Sequence, residues 1–224
     1  MSQTPEIVVR RPNESVLATN SVIKNTYMLL SMTLLFSAFT AWISMKINMP
    51  HMGILVTLGG YFGLLFLTTK LRNSAWGILS IFALTGFMGL TLGPVINMYL
   101  QAFSNGAELV AMAMGGTGTI FIGLSAYALT TKKDFSFMGG FLMVGILAAF
   151  LLGIGALIFS IPALSLAVSG LFIMLMSGLI LYQTSEIIHG GETNYIMATI
   201  TLYITIYNLF MSLLHILGAV AGDD

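Results

Sequence analysis

Long apolar runs, separated by isolated charged residues, are the dominant pattern along the chain. Six intervals contain no Lys, Arg, Asp or Glu, and each is long enough for at least one membrane-spanning helix: 25–45, 47–69, 73–107, 109–131, 135–185 and 193–222. A helix needs about 20 predominantly apolar residues to cross the hydrocarbon core of a bilayer. The pattern therefore predicts a bundle of transmembrane helices.

Two of these intervals are longer than one helix needs. The interval 135–185 must fold back once, and the turn is predicted at Ser160-Ile161-Pro162, because proline suits the first turn of a new helix. In the interval 73–107, Gly93-Pro94 is predicted to end the helix or to break it, and 95–108 then forms a short external segment. Seven spans result: 26–46, 52–70, 75–93, 109–130, 136–158, 162–185 and 195–219.

A transmembrane β-barrel is the alternative membrane class. It would show short strands in which polar and apolar residues alternate strictly, whereas the run from Phe141 to Phe159 contains barely a polar residue. On the same span, Gly145, Ala149 and Gly153 recur every four residues, and small residues at this spacing let helices pack closely. The predicted fold class is all-α, a polytopic membrane bundle of seven transmembrane helices.

The first 25 residues differ from the rest, because they are polar and lack the apolar core of a signal peptide. They are predicted to form a poorly ordered tail, residues 1–25, before a transmembrane domain at 26–222. Seven of the eight Lys and Arg residues fall in this tail and in the loops near 70–72 and 132–133, and only Lys46 lies on the opposite side. The positive-inside rule then predicts a cytoplasmic N-terminus and a C-terminus outside the cytoplasm.

Composition supports the same class and excludes several functions. The chain is 57% hydrophobic and 7% charged, with a mean hydropathy of +0.96, whereas a soluble domain carries about 25% charged residues. So few charges cannot cover a soluble surface or form the basic face of a nucleic-acid-binding protein. The chain contains no cysteine, which excludes disulfides, thiolate catalysis and cysteine-ligated metals.

The sequence contains no arrangement typical of a catalytic site. H-E-x-x-H is absent, and His189-Gly-Gly-Glu192 has the wrong spacing for a helical pair of zinc ligands. Ser212 and His215 would form at most a dyad, because no third group orients the histidine. We therefore predict neither an enzyme nor a bound cofactor or metal.

Polar residues on the last two spans are the candidate functional feature. Five of them, separated by 4, 3, 4 and 3 positions, share one face of the seventh span: Thr201, Thr205, Asn208, Ser212 and His215. Polar side chains in hydrocarbon face the bundle interior or a wet cavity. They either hold helices together by hydrogen bonds or form a polar, proton-sensitive pocket. The residues assigned to such a pocket are Gln183, Glu186, Thr201, Thr205 and Asn208.

Two of these assignments concern the sixth span. Gln183 and Glu186 lie one helical turn apart, near the cytoplasmic end of that span. Glu186 has an alternative interpretation, because a carboxylate this close to the end of a span can simply reach the membrane interface. The sequence alone leaves both interpretations of Glu186 open, a pocket residue or a carboxylate at the interface.

Four segments of the chain carry a family resemblance. They read KNTYMLLS at 24–31, GLTLGPVINMY at 89–99, AYALTTKKDFSFMGG at 126–140 and HGGETNY at 189–195. They resemble the bacterial YccA subgroup of the Bax inhibitor-1 family, and the resemblance runs from about Lys24 to about Gly218. It implies a seven-helix inner-membrane protein. It also implies one of two activities: members of the subgroup bind and restrain the ATP-dependent membrane protease FtsH, and other family members are pH-sensitive calcium leaks.

The calcium-leak activity of the family depends on acidic residues in the sixth and seventh helices, in a Tyr-Asp-Thr-type and a Leu-Tyr-Leu-Asp-type motif. The corresponding segments here read Tyr182-Gln183-Thr184 and Leu202-Tyr203-Ile204-Thr205. Both acidic positions therefore carry neutral residues, and Glu186 is near enough to substitute only in part. The resemblance favours FtsH as the partner and leaves a calcium or cation leak as the alternative.

Overall fold

The protein is a bundle of seven long helices. The computed structural model describes residues 12–222, and the side chains of residues 19–222. The helices α1 to α7 are Pro12–Lys46, Ile54–Leu71, Trp76–Ala102, Gly106–Thr131, Gly139–Ile158, Pro162–His189 and Tyr195–Ala221, with a short 3-10 turn at Ser136–Met138. The chain is 87% helical, without a strand among the described residues. Because all seven helices are long and apolar enough to cross a membrane, the predicted fold class is confirmed.

Short connections divide the bundle into two ends. The connections 72–75, 132–135 and 190–194 lie at one end, and 47–53, 103–105 and 159–161 lie at the other. We call the first the lysine-rich end, because Lys70, Lys132 and Lys133 lie there.

α7 is the central helix of the bundle. It packs against α1, α3, α4 and α6, and these four helices also contact one another in a closed ring in that order. α2 packs on α3 and α5 packs on α6, outside this ring. Burial follows the arrangement: Leu202 and Leu209 of α7 are completely buried, whereas Thr68 is the one buried residue of α2.

α3 is longer than the sequence predicts. The expected end at Gly93-Pro94, with 95–108 outside the helix, is wrong, because α3 continues through Pro94 to Ala102. The reason lies in α1. The hydroxyl of Ser44 donates a 2.8 Å hydrogen bond to the carbonyl oxygen of Leu90, which is the acceptor that proline leaves without its N–H donor. Such a neighbour lets a transmembrane helix keep an internal proline.

Glycines let α1 and α3 approach closely enough for this hydrogen bond. A Cβ atom on Gly93 would overlap the side chain of Ser44, and one on Gly89 would overlap the carbonyl of Ser37. The two helices are also joined where Asn97 Nδ2 donates to the Met45 carbonyl at 3.1 Å. Small residues therefore decide how α1 lies on α3, as they do in many membrane bundles.

α1 begins earlier than the sequence predicts. Its first residue is Pro12 rather than residue 26, so residues 12–25 are helical and not a loose tail. The part of α1 with membrane-spanning character begins at Thr19. The remainder of the predicted tail, residues 1–11, lies outside the described residues.

The predicted turn between the fifth and sixth helices is confirmed. α5 ends at Ile158, Ser160 adopts a left-handed conformation with φ of 51°, and α6 starts at Pro162. The small residues of α5 pack against α6, as predicted. Ala149 is completely buried, and a Cβ atom on Gly145 would lie 2.7 Å from a methyl group of Leu175.

Candidate functional site around the central helix

The five residues assigned to an intramembrane pocket lie near the end of α6 and in the first half of α7. Gln183 is 6% exposed and Thr205 is completely buried. Glu186, Thr201 and Asn208 are partly buried. All five therefore avoid full exposure, as polar groups within a membrane bundle are expected to do.

The hydrogen bonds of the α7 members stay within their own helix. Thr201, Thr205 and Asn208 each donate to the carbonyl four residues earlier, at 3.1, 2.6 and 2.8 Å. Gln183 Nε2 is buried and has no hydrogen-bond partner among the described residues. A direct pairing across α6 and α7 is thus not formed by these groups, and a shared pocket stays a prediction.

Glu186 lies at the lysine-rich end of α6. A Cβ atom on Gly191 would be 2.8 Å from its carboxyl carbon, so the carboxylate lies against the α6–α7 connection. The backbone N–H groups of Gly191 and Glu192 donate to the Glu186 carbonyl at 2.8 and 3.1 Å. This placement agrees with the alternative in which Glu186 reaches the interface.

The last residue of the polar face of α7, His215, does connect the last two helices. His215 Nδ1 lies 2.7 Å from the hydroxyl oxygen of Ser169 on α6. The same hydroxyl lies 3.2 Å from the Ser165 carbonyl, to which it donates. At this position the polar face of α7 holds two helices together by a hydrogen bond, which is the first of the two alternatives given in the sequence analysis.

A second set of polar residues, which the sequence analysis missed, ties α7 to α1 and α3. Its members are Thr199, Tyr203 and Tyr207. Their spacing of four residues places them on one helix face. That spacing was a usable signal in the sequence, but tyrosine is common in transmembrane helices and does not by itself indicate a buried hydrogen bond.

Tyr203 is the centre of this set. Its hydroxyl donates to the carbonyl of Thr85 on α3 at 3.2 Å, so it accepts the hydrogen bond from Ser37 on α1, where the two oxygens are 2.5 Å apart. Its side chain is 2% exposed. One hydroxyl therefore joins three helices in the middle of the bundle.

The other two members extend the connection in both directions along α7. Thr199 Oγ1 lies 3.2 Å from the Thr26 carbonyl on α1. Tyr207 Oη lies 3.2 Å from Thr91 Oγ1 on α3. The polar groups on this face of α7 thus bind the central helix to the first and third helices over two turns.

A cavity of about 660 Å³ opens between α2 and α5 and extends inward to α7. Aromatic side chains form much of its wall, among them Phe62, Phe87, Phe150 and Phe172. Its polar groups are Thr57, Tyr61, Thr91, Tyr207 and Asn208. Of the five residues assigned to a pocket, Asn208 alone lines this cavity.

The connection between α4 and α5 is held by α6. The backbone N–H of Phe135 donates to Ser185 Oγ at 2.9 Å. Within the connection, the backbone N–H of Ser136 donates to the Asp134 carboxylate at 2.8 Å, and this hydrogen bond lowers the pKa of Asp134. Within residues 19–222, no three His, Asp or Glu side chains lie close enough together to hold a metal ion.

Seven apolar helices, a central helix fixed by buried hydroxyl groups and a cavity facing the lipid define a polytopic α-helical membrane protein. A family model described as "Inhibitor of apoptosis-promoting Bax1" matches residues 19–222. The chain belongs to this family, the Bax inhibitor-1 family, and the resemblance noted in the sequence is confirmed.

Similar proteins occur in several bacteria. The chain is 53% identical over 210 residues to "Modulator of FtsH protease YccA" of Escherichia coli K12, covering 93% of this chain and 94% of that protein. The same values hold for "Inner membrane protein YccA" of Escherichia coli O6:H1. An uncharacterised membrane protein of Vibrio cholerae is 43% identical over 222 residues, 99% of each chain.

Proposed function

We propose that this protein is an inner-membrane protein that binds and restrains the ATP-dependent membrane protease FtsH. The observation that carries this proposal is the 53% identity to a protein named as a modulator of that protease. The match covers 93% of the chain, and the family model spans residues 19–222, which include the central helix. The protein acts by binding and not by catalysis, which agrees with relatives that are named as modulators or inhibitors.

The N-terminal segment is the part of the chain that the protease would grip. The distribution of Lys and Arg supports a cytoplasmic position for this segment. An ATP-driven protease needs a segment to grip, and chain ends are common starting points for degradation. The connections 72–75, 132–135 and 190–194 are short, so they are poor starting points for an unfolding machine.

The bundle is then a substrate that the protease unfolds slowly, and the protease stays occupied while it does so. Pulling from the N-terminus first withdraws α1, and this helix is joined to the central helix through Ser37–Tyr203 and Thr26–Thr199. Extraction must break these buried hydrogen bonds in a medium that offers no water to replace them. Slow unfolding occupies the protease, which explains restraint without any contact at its active site.

Pulse-chase measurement of lifetime in cells with and without FtsH tests this mechanism. Deleting residues 2–11, which leaves α1 complete, should lengthen the lifetime in FtsH-containing cells because the grip is lost. A control in which the same ten positions are replaced by Gly and Ser should be degraded like the natural chain. Equal lifetimes of the deleted and full-length proteins would remove the N-terminal segment from the mechanism.

A second variant tests the resistance of the bundle. Tyr203→Phe removes one hydroxyl from the centre and should shorten the lifetime in FtsH-containing cells. Tyr127→Phe alters a tyrosine that is 44% exposed and should leave the lifetime unchanged. Failure of FtsH to co-purify with the full-length protein in mild detergent would contradict the proposed function itself.

A further inference from the structure

We propose that the cavity between α2 and α5 binds a neutral, membrane-dissolved ring compound that carries carbonyl or hydroxyl groups, of the quinone type. The ring would lie against α7, and an apolar tail would leave between α2 and α5 into the lipid. This inference is independent of the protease partner, because it rests on the cavity and on the polar groups within it.

The size and position of the cavity suit a small ligand that arrives through the membrane. Its volume of about 660 Å³ lies within the range of about 300 to 1,000 Å³ that is common for small-molecule sites. Its two flanking helices pack on different partners, α2 on α3 and α5 on α6. The gap between them therefore faces lipid, and the residues at its mouth are accessible, with Phe62 at 50% and Met143 at 75% exposed.

Two polar side chains of α7, Tyr207 and Asn208, keep unused hydrogen-bonding capacity inside this apolar cavity. Thr91 donates its proton to the Met88 carbonyl at 2.7 Å, so the Tyr207 hydroxyl donates to Thr91 and retains free lone pairs. Asn208 uses one N–H on Ile204 and retains its other N–H and its carbonyl oxygen.

Tyr61 adds a complete hydroxyl group to this set. It lines the cavity and is partly buried, and among residues 19–222 its hydroxyl forms no hydrogen bond. Polar groups without partners are costly in hydrocarbon. A ligand with carbonyl or hydroxyl groups would supply the missing partners for Tyr61, Tyr207 and Asn208.

Charge and depth exclude the commonest membrane molecules. No Lys, Arg, Asp, Glu or His side chain lines the cavity, so the carboxylate of a fatty acid would be buried without a partner. Asn208 lies in the middle of α7, at residue 208 of Tyr195–Ala221, about 20 Å from either helix end. A phospholipid headgroup at the interface would lie near Thr57, in the first turn of α2, and could not reach Asn208, whereas a neutral ring compound can enter the hydrocarbon.

The absence of cysteine from the chain allows a direct binding measurement in lipid nanodiscs. Met143→Cys at the mouth of the cavity is labelled with a fluorophore and titrated with decylubiquinone, which quenches fluorescence. We expect a saturable component at this position, above the linear quenching caused by quinone dissolved in the lipid. Phe66→Cys is the control, because it is 69% exposed, does not line the cavity and lies at a similar distance from the lysine-rich end.

Substitutions inside the cavity distinguish specific binding from filling by any apolar molecule. Tyr61→Phe and Asn208→Leu should each weaken the saturable binding about fivefold, the usual loss for one hydrogen bond. Tyr127→Phe on α4, away from the cavity, should leave it unchanged. Ile146→Trp, which places an indole in the cavity, should abolish saturation while linear quenching remains.

Two results would overturn the proposal. One is purely linear quenching of equal slope at Met143→Cys and Phe66→Cys, which would show that quinone has no site here. The other is equal competition by decylbenzene, which has the same tail length but no carbonyl group. That outcome would mean that the cavity accepts any apolar chain and does not recognise a carbonyl-bearing ring.

Discussion

Ser44 shows how one hydroxyl decides the course of a helix. It donates to the Leu90 carbonyl at 2.8 Å, and the position four residues later is Pro94, which has no N–H to offer. The acceptor and its substitute donor are far apart in the sequence. Proline ends many helices, but Pro94 is compatible with a continuous α3 in this protein because Ser44 replaces its missing N–H.

Replacing Ser44 by alanine should destabilise the bundle by about 1 kcal/mol, because the Leu90 carbonyl would lose the donor that stands in for the missing N–H of Pro94. The matched control is Ser31→Ala, since Ser31 donates only to a carbonyl of its own helix, that of Tyr27. Denaturation in mixed detergent micelles measures both changes.

Pro94→Ala in the Ser44→Ala background should recover most of the loss, because alanine returns the backbone N–H to Leu90. A double variant as unstable as Ser44→Ala alone would show that Ser44 acts through packing against Gly93 and not through the hydrogen bond.

At the scale of elements, α6 and α7 carry the positions at which the calcium-leak members of the family have acids. Here these positions hold Gln183 and Thr205, both buried. Two nearby carboxylates share a proton because their charges repel, which raises the pKa of one of them toward neutrality. Neutral residues cannot titrate in this way.

Calcium flux through the natural protein in liposomes is therefore expected to be weak and only mildly dependent on pH. Gln183→Asp combined with Thr205→Asp should increase a pH-sensitive flux, and each single substitution serves as the control. The prediction fails if the unaltered protein already conducts calcium strongly with a steep pH dependence.

At the scale of the whole molecule, the number of spans and the distribution of Lys and Arg predict opposite sides for the two ends of the chain. A reporter active only in the cytoplasm should be active when fused after Lys133 and silent when fused after Asp224. Activity at both positions would contradict the predicted topology, because three membrane-spanning helices, α5 to α7, lie between Lys133 and Asp224.

The arrangement of helices in the bundle explains which residues sequence reasoning found and which it missed. The spacing of Thr201, Thr205 and Asn208 predicted a polar face of α7, and the structure shows these side chains bonding within their own helix. Tyr203 and Tyr207, which join α7 to α1 and α3, were missed, because their partners lie more than a hundred positions away.

The sequence by itself determined the class of the protein, its seven spans, the turn before Pro162 and the family. These features depend on local properties, since the thickness of the bilayer sets how many apolar residues a span needs. Only the tertiary structure decided that α3 passes through Pro94, that α7 is central and that a cavity opens between α2 and α5. Each of these depends on groups remote in sequence, as Ser44 with Leu90 and Tyr203 with Ser37 show, and the pattern of one span does not specify which distant helix will satisfy its polar groups.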